Sequence, residues 1–328
     1  MRAPRFWHRD STSILPAILS PLSVIYETVD QLKRMRKTRA SVSIPVICVG
    51  NVVAGGAGKT PVAMAIGQFL LNAGWKVHFL SRGYGGNLAG PIRVVLDVHK
   101  TSDVGDEPLL LATIAPTWVA KDRVAGAQAA EKAGADVLIM DDGLQNPSLR
   151  KDLSLIVIDG GYGLGNGRVI PAGPLREKLP AAVARADALI IIDPVGQSFV
   201  NEATGIPVFS AGIVPHALQA EIVGEKVVAF AGIGRPEKFF DSLRGAGADL
   251  IEGIEFPDHH VFTQNDIMRL VEKAALHNAA LVTTRKDYVR LSVDAKMMTT
   301  VFDIDLVFDQ PKGLQKMLID KLGSREHA

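Results

Sequence analysis

The chain has 328 residues, 36 basic against 35 acidic side chains and a formal net charge of +1, so no global basic field exists to hold nucleic acid. A single cysteine excludes an internal disulfide and a cysteine-built zinc site, and Cys48 reads as a small apolar strand residue in a reducing compartment. The length exceeds the ~250–300 residues at which one core stops growing, which predicts two units, and 47% hydrophobic residues with 31 glycines fit an α/β protein.

At the N-terminus Arg2, Arg5, His8 and Arg9 precede an apolar stretch, Ile14 to Val29, and Lys33, Arg34, Arg36, Lys37 and Arg39 follow it. A membrane-spanning helix needs about 20 predominantly apolar residues, and this stretch is shorter and interrupted by Pro16, Pro21 and Glu27. It also lacks the small-residue cleavage site of a signal peptide. Residues 1–40 are therefore expected to form an amphipathic, basic-flanked segment lying in an anionic membrane surface, or a helix capping the first domain.

The next segment, IPVICVGNVVAGGAGKT from Ile44 to Thr60, is an apolar strand running into a glycine-rich turn that ends in Lys and Thr at a helix start. That pattern cradles a nucleotide's phosphates with backbone N–H groups. Val53, Ala54, Gly55, Gly56, Ala57, Gly58, Lys59 and Thr60 are the predicted ATP-binding residues, with Lys59 on the β and γ phosphates and Thr60 on Mg²⁺. Val53 stands where the usual pattern carries a glycine, so Gly55 and Gly56 must supply the turn's freedom. Ala54 replaces the extra lysine of the KGGxGKT variant, and no mechanism that needs that lysine is supported.

Strand-like and helix-like segments then alternate. Strands are predicted at Val46 to Val49, Val77 to Leu80, Ile92 to Leu96, Val137 to Met140, Leu155 to Ile158, Ala188 to Ile192 and Val208 to Ala211, and helices at Thr60 to Ala73, Leu109 to Ala115 and Asp122 to Ala133. This predicts a P-loop domain over 41–215 whose parallel sheet carries helices on both faces. Past a linker at Pro215 to Gly224, VVAFAGIGRP opens a smaller α/β domain over 225–328. Its expected helices lie near Glu237 to Arg244 and Asp266 to Ala275, and its strands near Ala280 to Thr283 and Thr300 to Phe302.

Asp141 and Asp142 follow an apolar strand in DVLIMDDG, from where a carboxylate reaches Mg²⁺ in a P-loop protein. The VGDEP segment places Asp106 and Glu107 at a helix start; either fits a general base, and a helix cap with a dipole-complementing acid fits equally. Arg123, Arg168 and Arg176 are candidates for gripping phosphate, while Arg176 and Glu177 equally suit structural ion pairs. In FPDHHVF, adjacent His259 and His260 cannot chelate one metal from the same strand face. A proton-transfer role beside Asp258 is the natural expectation.

Taken in order, GNVVAGGAGKTP, RGYGG, GDEPLLLA, LIMDDGLQN, GRVIPAGPLRE, AFAGIGRPEKFF, FPDHHVF and TTRKDYVRL resemble the tetraacyldisaccharide 4′-kinase family of lipid A biosynthesis. The resemblance implies transfer of the γ-phosphate of ATP, with Mg²⁺, to the 4′-hydroxyl of a tetraacyldisaccharide 1-phosphate, giving lipid IVA. It places the enzyme peripherally on the cytoplasmic face of the inner membrane of a Gram-negative cell, with no obligate protein partner. By motif, Asp106 would be the base, assisted by His259 or His260, with Lys59 on the phosphates. Asp141 and Asp142 would serve the metal, and Glu107, Arg123, Arg176 and Glu177 the acceptor site. Asn146 stands where the family commonly has histidine, and an amide can neither titrate nor carry charge. The rival expectation is a P-loop GTPase or ATPase switch, or a metallochaperone, acting on a protein partner. It rests on the GGxGKT variant and on TTRKD at Thr283 to Asp287, which is faintly like a guanine-reading motif.

Overall fold

The computed structural model describes residues 4–36, 40–193, 205–216 and 222–323. Arg2, Lys37, Arg39 and the middle of the expected linker lie outside the described residues. After a 3-10 turn at Arg5–Trp7, the N-terminal segment forms helix α1 (Leu15–Arg36), which runs unbroken past Pro21. Among the described residues no helix is long and apolar enough to cross a membrane.

The large sheet is built from β1 (Val46–Gly50), β2 (Val77–Ser81), β3 (Ile92–Arg93), β4 (Thr117–Val119), β5 (Val137–Asp141), β6 (Leu153–Asp159), β7 (Ala188–Ile192) and β8 (Val208–Pro215). A smaller sheet holds β9 (Lys226–Ala231), β10 (Asp249–Glu255), β11 (Ala280–Thr284) and β12 (Thr300–Phe302), and the last strand, β13 (Ile304–Phe308), returns to the large one. Strand order is β13-β8-β7-β6-β1-β5-β2-β4-β3 in the first and β10-β9-β11-β12 in the second. Pairing in the large sheet is parallel except at its two edges, β3 and β13. β1 is therefore central, and its register sets Val49 beside Asp141 on one side and Leu155 on the other.

Alternation along these strands feeds two cores. Ile47, Val49, Ile139, Leu155, Val157 and Ile190 face α2 (Lys59–Asn72) through Val62, Ile66 and Leu70. The intervening Cys48, Ile156, Ile158, Leu189 and Ile191 pack with Leu144, Val169 and Leu175. Leu80, Leu138 and Met140 extend that second face and receive Ala127 and Ala130 of the Arg123–Lys132 helix. Burying one such aliphatic side chain stabilises the fold by about 1.5–3 kcal/mol. In the small domain, Phe239, Phe240 and Leu243 of the Pro236–Gly245 helix cover one face of β9 and β11. Ile267, Leu270 and Ala274 of the Gln264–Leu276 helix cover the other.

Several expectations are corrected by the tertiary structure. The strand expected to reach Leu96 stops at Arg93, because the chain turns back through hydrogen bonds from Val98 and His99 to Val95. The helix expected from Leu109 starts at Asp106 and ends at Ala112. Within the C-terminal unit expected over 225–328, two elements pack against the first domain. β13 pairs antiparallel with β8, and Leu314 and Leu318 of the final helix (Pro311–Leu322) enter the first domain's core. A chain that crosses between domains twice gives the small domain two covalent tethers.

Candidate active site

The glycine-rich turn leaves β1 at its carboxyl end and is held in shape by its own neighbours. Asn51 Nδ2 donates to the Val53 carbonyl at 2.7 Å, and Ala54 N–H donates to the Pro174 carbonyl at 2.7 Å. Val53, at the position of the missing glycine, forms a short β-bridge with Leu175. Gly58 has φ +81°, and a Cβ there would sit 2.3 Å from Ile192 Cδ1, so this turn requires glycine. Lys59 and Thr60 begin α2 and are both buried.

Thr60 Oγ1 donates to Asp141 Oδ2 at 3.0 Å, while Asp141 Oδ1 is buried without a hydrogen-bond partner. Burial, then the nearby charge of Glu107, pushes the Asp141 carboxyl up to about 7. A threonine hydroxyl and an aspartate with an unused oxygen, side by side at a phosphate-binding turn, form a donor set that fits Mg²⁺, the phosphates supplying the remaining oxygens. Among the described residues no cluster of three or more His, Cys, Asp and Glu side chains could hold a metal unaided.

Asp142 is a non-glycine residue at positive φ (54°), a conformation that persists only when surroundings enforce it. Its Oδ1 lies 3.7 Å from Lys59 Nζ and 2.8 Å from Arg176 Nη1. Burial opposes its charge, but Lys59 and then Arg176 outweigh that and hold the carboxyl below its ordinary range. Gln145, unassigned from sequence, organises this side: its Nε2 donates to the Asn51 carbonyl at 2.8 Å and to Glu177 Oε1 at 3.2 Å, and its Oε1 accepts from Arg176. Glu177 also pairs with Arg185 at 2.7 Å. Arg123 is buried with its Nε unpartnered, and burial, then Arg82, pushes its guanidinium down to about 10. Arg168 instead donates to Ser20 Oγ at 2.6 Å and serves α1 docking. Asn146 Oδ1 accepts from Ser148 N–H and Oγ–H, a local turn contact.

The second half of the site joins Asp106 of the first domain to His259, Lys286 and Arg290 of the small domain. Asp106, buried at the start of its helix, is not the cap residue; Gly105 is. Its Oδ2 faces His259 Nδ1 at 3.1 Å, Lys286 Nζ at 3.6 Å and Arg290 Nη2. Burial opposes the charge on Asp106, but the His259 hydrogen bond, Lys286 and Arg290 outweigh it and hold the carboxyl far below the usual carboxylate range. His259 itself has positive φ (60°), and the Tyr84 ring packs edge-on against its imidazole at 5.7 Å. His260 points elsewhere: its Nε2 is 3.1 Å from Asp266 Oδ2, inside the capping box of the Gln264–Leu276 helix. Lys286 and Arg290 come from TTRKDYVRL, whose sequence suggested only a faint likeness to a guanine-reading motif and no role beside Asp106.

Glu107, Asp258 and Lys286, which flank the Asp106–His259 pair, line the same cleft as Gly55 to Thr60, a space of about 1770 Å³ between the domains. Arg235 closes its floor, pairing with Asp159 at 2.9 Å and reaching the Gly56 carbonyl at 3.4 Å. Comparison with known proteins shows what the chain resembles. The family model described as "Tetraacyldisaccharide-1-P 4'-kinase" matches residues 15–323. Proteins named tetraacyldisaccharide 4′-kinase from Paramagnetospirillum magneticum and Rhodospirillum rubrum are 50% and 47% identical, covering 99% and 98% of this chain and 100% and 98% of their own lengths. The crystal structure of LpxK from Aquifex aeolicus in complex with ATP superposes with a TM-score of 0.76 at 26% identity, over 94% of this chain and 100% of that one. With a family model matched over residues 15–323 and relatives matched almost end to end, the chain belongs to the tetraacyldisaccharide 4′-kinase family.

Proposed function

We propose that this kinase uses ATP and Mg²⁺ to phosphorylate the 4′-hydroxyl of a tetraacyldisaccharide 1-phosphate, working at the cytoplasmic face of a bacterial inner membrane. The observation that carries the reading is that Lys59 and Thr60 line one cleft with Glu107, Asp258 and Lys286, the immediate neighbours of the Asp106–His259 pair. ATP lies with its phosphates in the turn Val53 to Thr60, where Lys59 neutralises the β and γ oxygens. Thr60 and Asp141, whose Oδ1 has no hydrogen-bond partner, would hold Mg²⁺, which would shield the phosphate charge. Asp142 orients Lys59 and Arg176.

Proton removal falls to the pair. An Asp106 carboxylate that already accepts from Arg290 and faces Lys286 is a weak base, but it fixes the His259 proton on Nδ1 and leaves Nε2 as acceptor. His259 Nε2 therefore takes the 4′-hydroxyl proton, with Asp106 in the orienting role, a division of labour that differs from the expectation that Asp106 itself is the base. The sugar oxygen forms a bond to the γ-phosphorus, the bond from phosphorus to the bridging oxygen breaks, and ADP leaves with the electron pair. Arg123 and Arg176 face the acceptor side. α1 docks on the Arg168–Lys178 loop through Ser23 and Glu27 and offers its exposed apolar stripe to the bilayer.

A GTPase switch or metallochaperone is not favoured, since Lys286, Asp287 and Arg290 of TTRKDYVRL are spent on the Asp106 cluster. Transfer of labelled γ-phosphate from ATP to the tetraacyldisaccharide 1-phosphate in detergent micelles tests the reading. We expect Lys59→Ala to lower kcat by roughly 10²–10³-fold and His259→Ala by roughly 10²–10⁴-fold. Full turnover in His259→Ala would remove the base assignment, and GTP hydrolysis without lipid phosphorylation would overturn the whole.

A further inference from the structure

Arg290 contacts Asp106 directly and shares with His259 the Gly232 carbonyl as a common acceptor. Its side chain is almost wholly buried, and its Nη2 donates to Asp106 Oδ2 across the domain boundary. Its Nη1 donates to Asp287 Oδ1 and to the Gly232 carbonyl, each at 2.9 Å. That same Gly232 carbonyl accepts from the His259 backbone N–H at 3.0 Å. The Gly232 turn is itself fixed, because its N–H donates to Asp287 Oδ2 at 3.1 Å and a Cβ on it would press on Asp287, the Pro257 carbonyl and His260. One guanidinium thus spans from the carboxylate of one domain to the turn that suspends the histidine of the other.

We propose that Arg290 is a positioning residue for phosphoryl transfer, setting the distance between Asp106 and His259 and locking the small domain over the nucleotide cleft in the competent register. The inference rests on the assignment of the Asp106–His259 pair made above. Its physical basis is the planar fork: an arginine holds two acceptors in fixed relative positions, whereas a lysine, a point charge, cannot. A shift of about 1 Å between groups of this kind costs on the order of 10²-fold in rate.

The groups facing His259 define what a pH profile should read. Asp106 lies at Nδ1, Asp258 is 3.7 Å from Nε2, Lys286 lies 3.6 Å from Asp106 and 3.9 Å from Asp258, Arg290 is behind Asp106, and the Tyr84 ring packs edge-on at 5.7 Å. Removing the arginine charge leaves Asp106 less compensated, which favours imidazolium and moves the acid limb of kcat/KM to higher pH.

The test measures lipid phosphorylation against pH for the full-length Arg290→Met and Arg290→Lys enzymes, with the KM for ATP and the melting temperature, and with His259→Ala as reference. We expect Arg290→Met to lose about 10²-fold in kcat with the KM for ATP within about twofold, and its acid limb to move upward. Arg290→Lys should keep the limb in place and lose about tenfold in kcat, since the charge remains and the second anchor does not. Wild-type kcat in both variants overturns the proposal, as does a loss that tracks only the folded fraction while the limb stays fixed. If Arg290→Met does not fold, Arg290→Lys decides alone by its kcat. Activity retained in His259→Ala would instead point to failure of the underlying pair.

Discussion

Cys48 shows how far one residue's behaviour follows from its place. It sits in the central strand with no exposure, and burial pushes its thiol up to about 11, so the reactive thiolate is suppressed. Thiol reagents should leave the native enzyme unlabelled and titrate one group only on unfolding, and rapid labelling of active protein would contradict this burial. Gly58 is the opposite case, defined by what it lacks. Alanine there meets both the left-handed backbone and Ile192, and destabilisation of at least about 1 kcal/mol is expected with weakened ATP binding. Calorimetric unfolding and nucleotide titration check the two effects separately.

Among the elements, α1 has no periodic partner in the sequence and was legible only as an apolar stretch with basic flanks. In the structure its exposed side chains Ile14, Ile18, Leu22, Ile25 and Val29 recur at helical spacing, while Ser23 and Glu27 turn inward to the loop that carries Arg176. An apolar stripe facing solvent beside the active-site loop suits a lipid surface. The double variant Ile18→Asp/Ile25→Asp should lose most cosedimentation with anionic vesicles, while its melting temperature changes little because neither side chain is packed. Unaltered vesicle binding would separate α1 from membrane association. The cap of the Gln264–Leu276 helix shows another limit of sequence reading. His260 stood as the alternative to the preferred His259, yet Asp266 claims it, and only geometry shows what each neighbour touches.

For the whole molecule, the domains meet through charges as well as through their two chain crossings. Asp159 at the end of β6 pairs with Arg235 and Lys238 of the small domain. Burial opposes its ionisation, but Arg235 and then Lys238 outweigh that and hold it below its ordinary value. A carboxyl depressed in the folded state stabilises above its unfolded pKa of ~3.9, and that stability is lost as pH falls through the lower folded value. The wild-type enzyme should therefore keep its docked domains below pH ~4, whereas in Arg235→Ala the acid-induced loss should begin at higher pH. Hydrogen exchange at the Gly232 to Arg235 turn, followed against pH, reads this directly. Equal acid profiles for the two proteins would show that this contact does not hold the domains.

The sequence by itself determined the phosphate-binding turn, the acids at the end of β5 and the α/β alternation. Each is local: glycines at required dihedrals, a Lys-Thr pair at a helix start, and apolar runs of strand length need only near neighbours. The tertiary structure alone decided the rest. β13 was hidden because it is an edge strand whose partner lies 89 residues earlier in the chain, where Ile304 meets Pro215. β4 has only three residues, and β10 has no fully buried side chain to mark it as an apolar run. Arg290 and Asp106 are 184 residues apart, and nothing in a spacing pattern reports that two domains bring them together. Proton-transfer pairs assembled across a domain boundary are set by long-range packing, and long-range packing is what a linear sequence does not display.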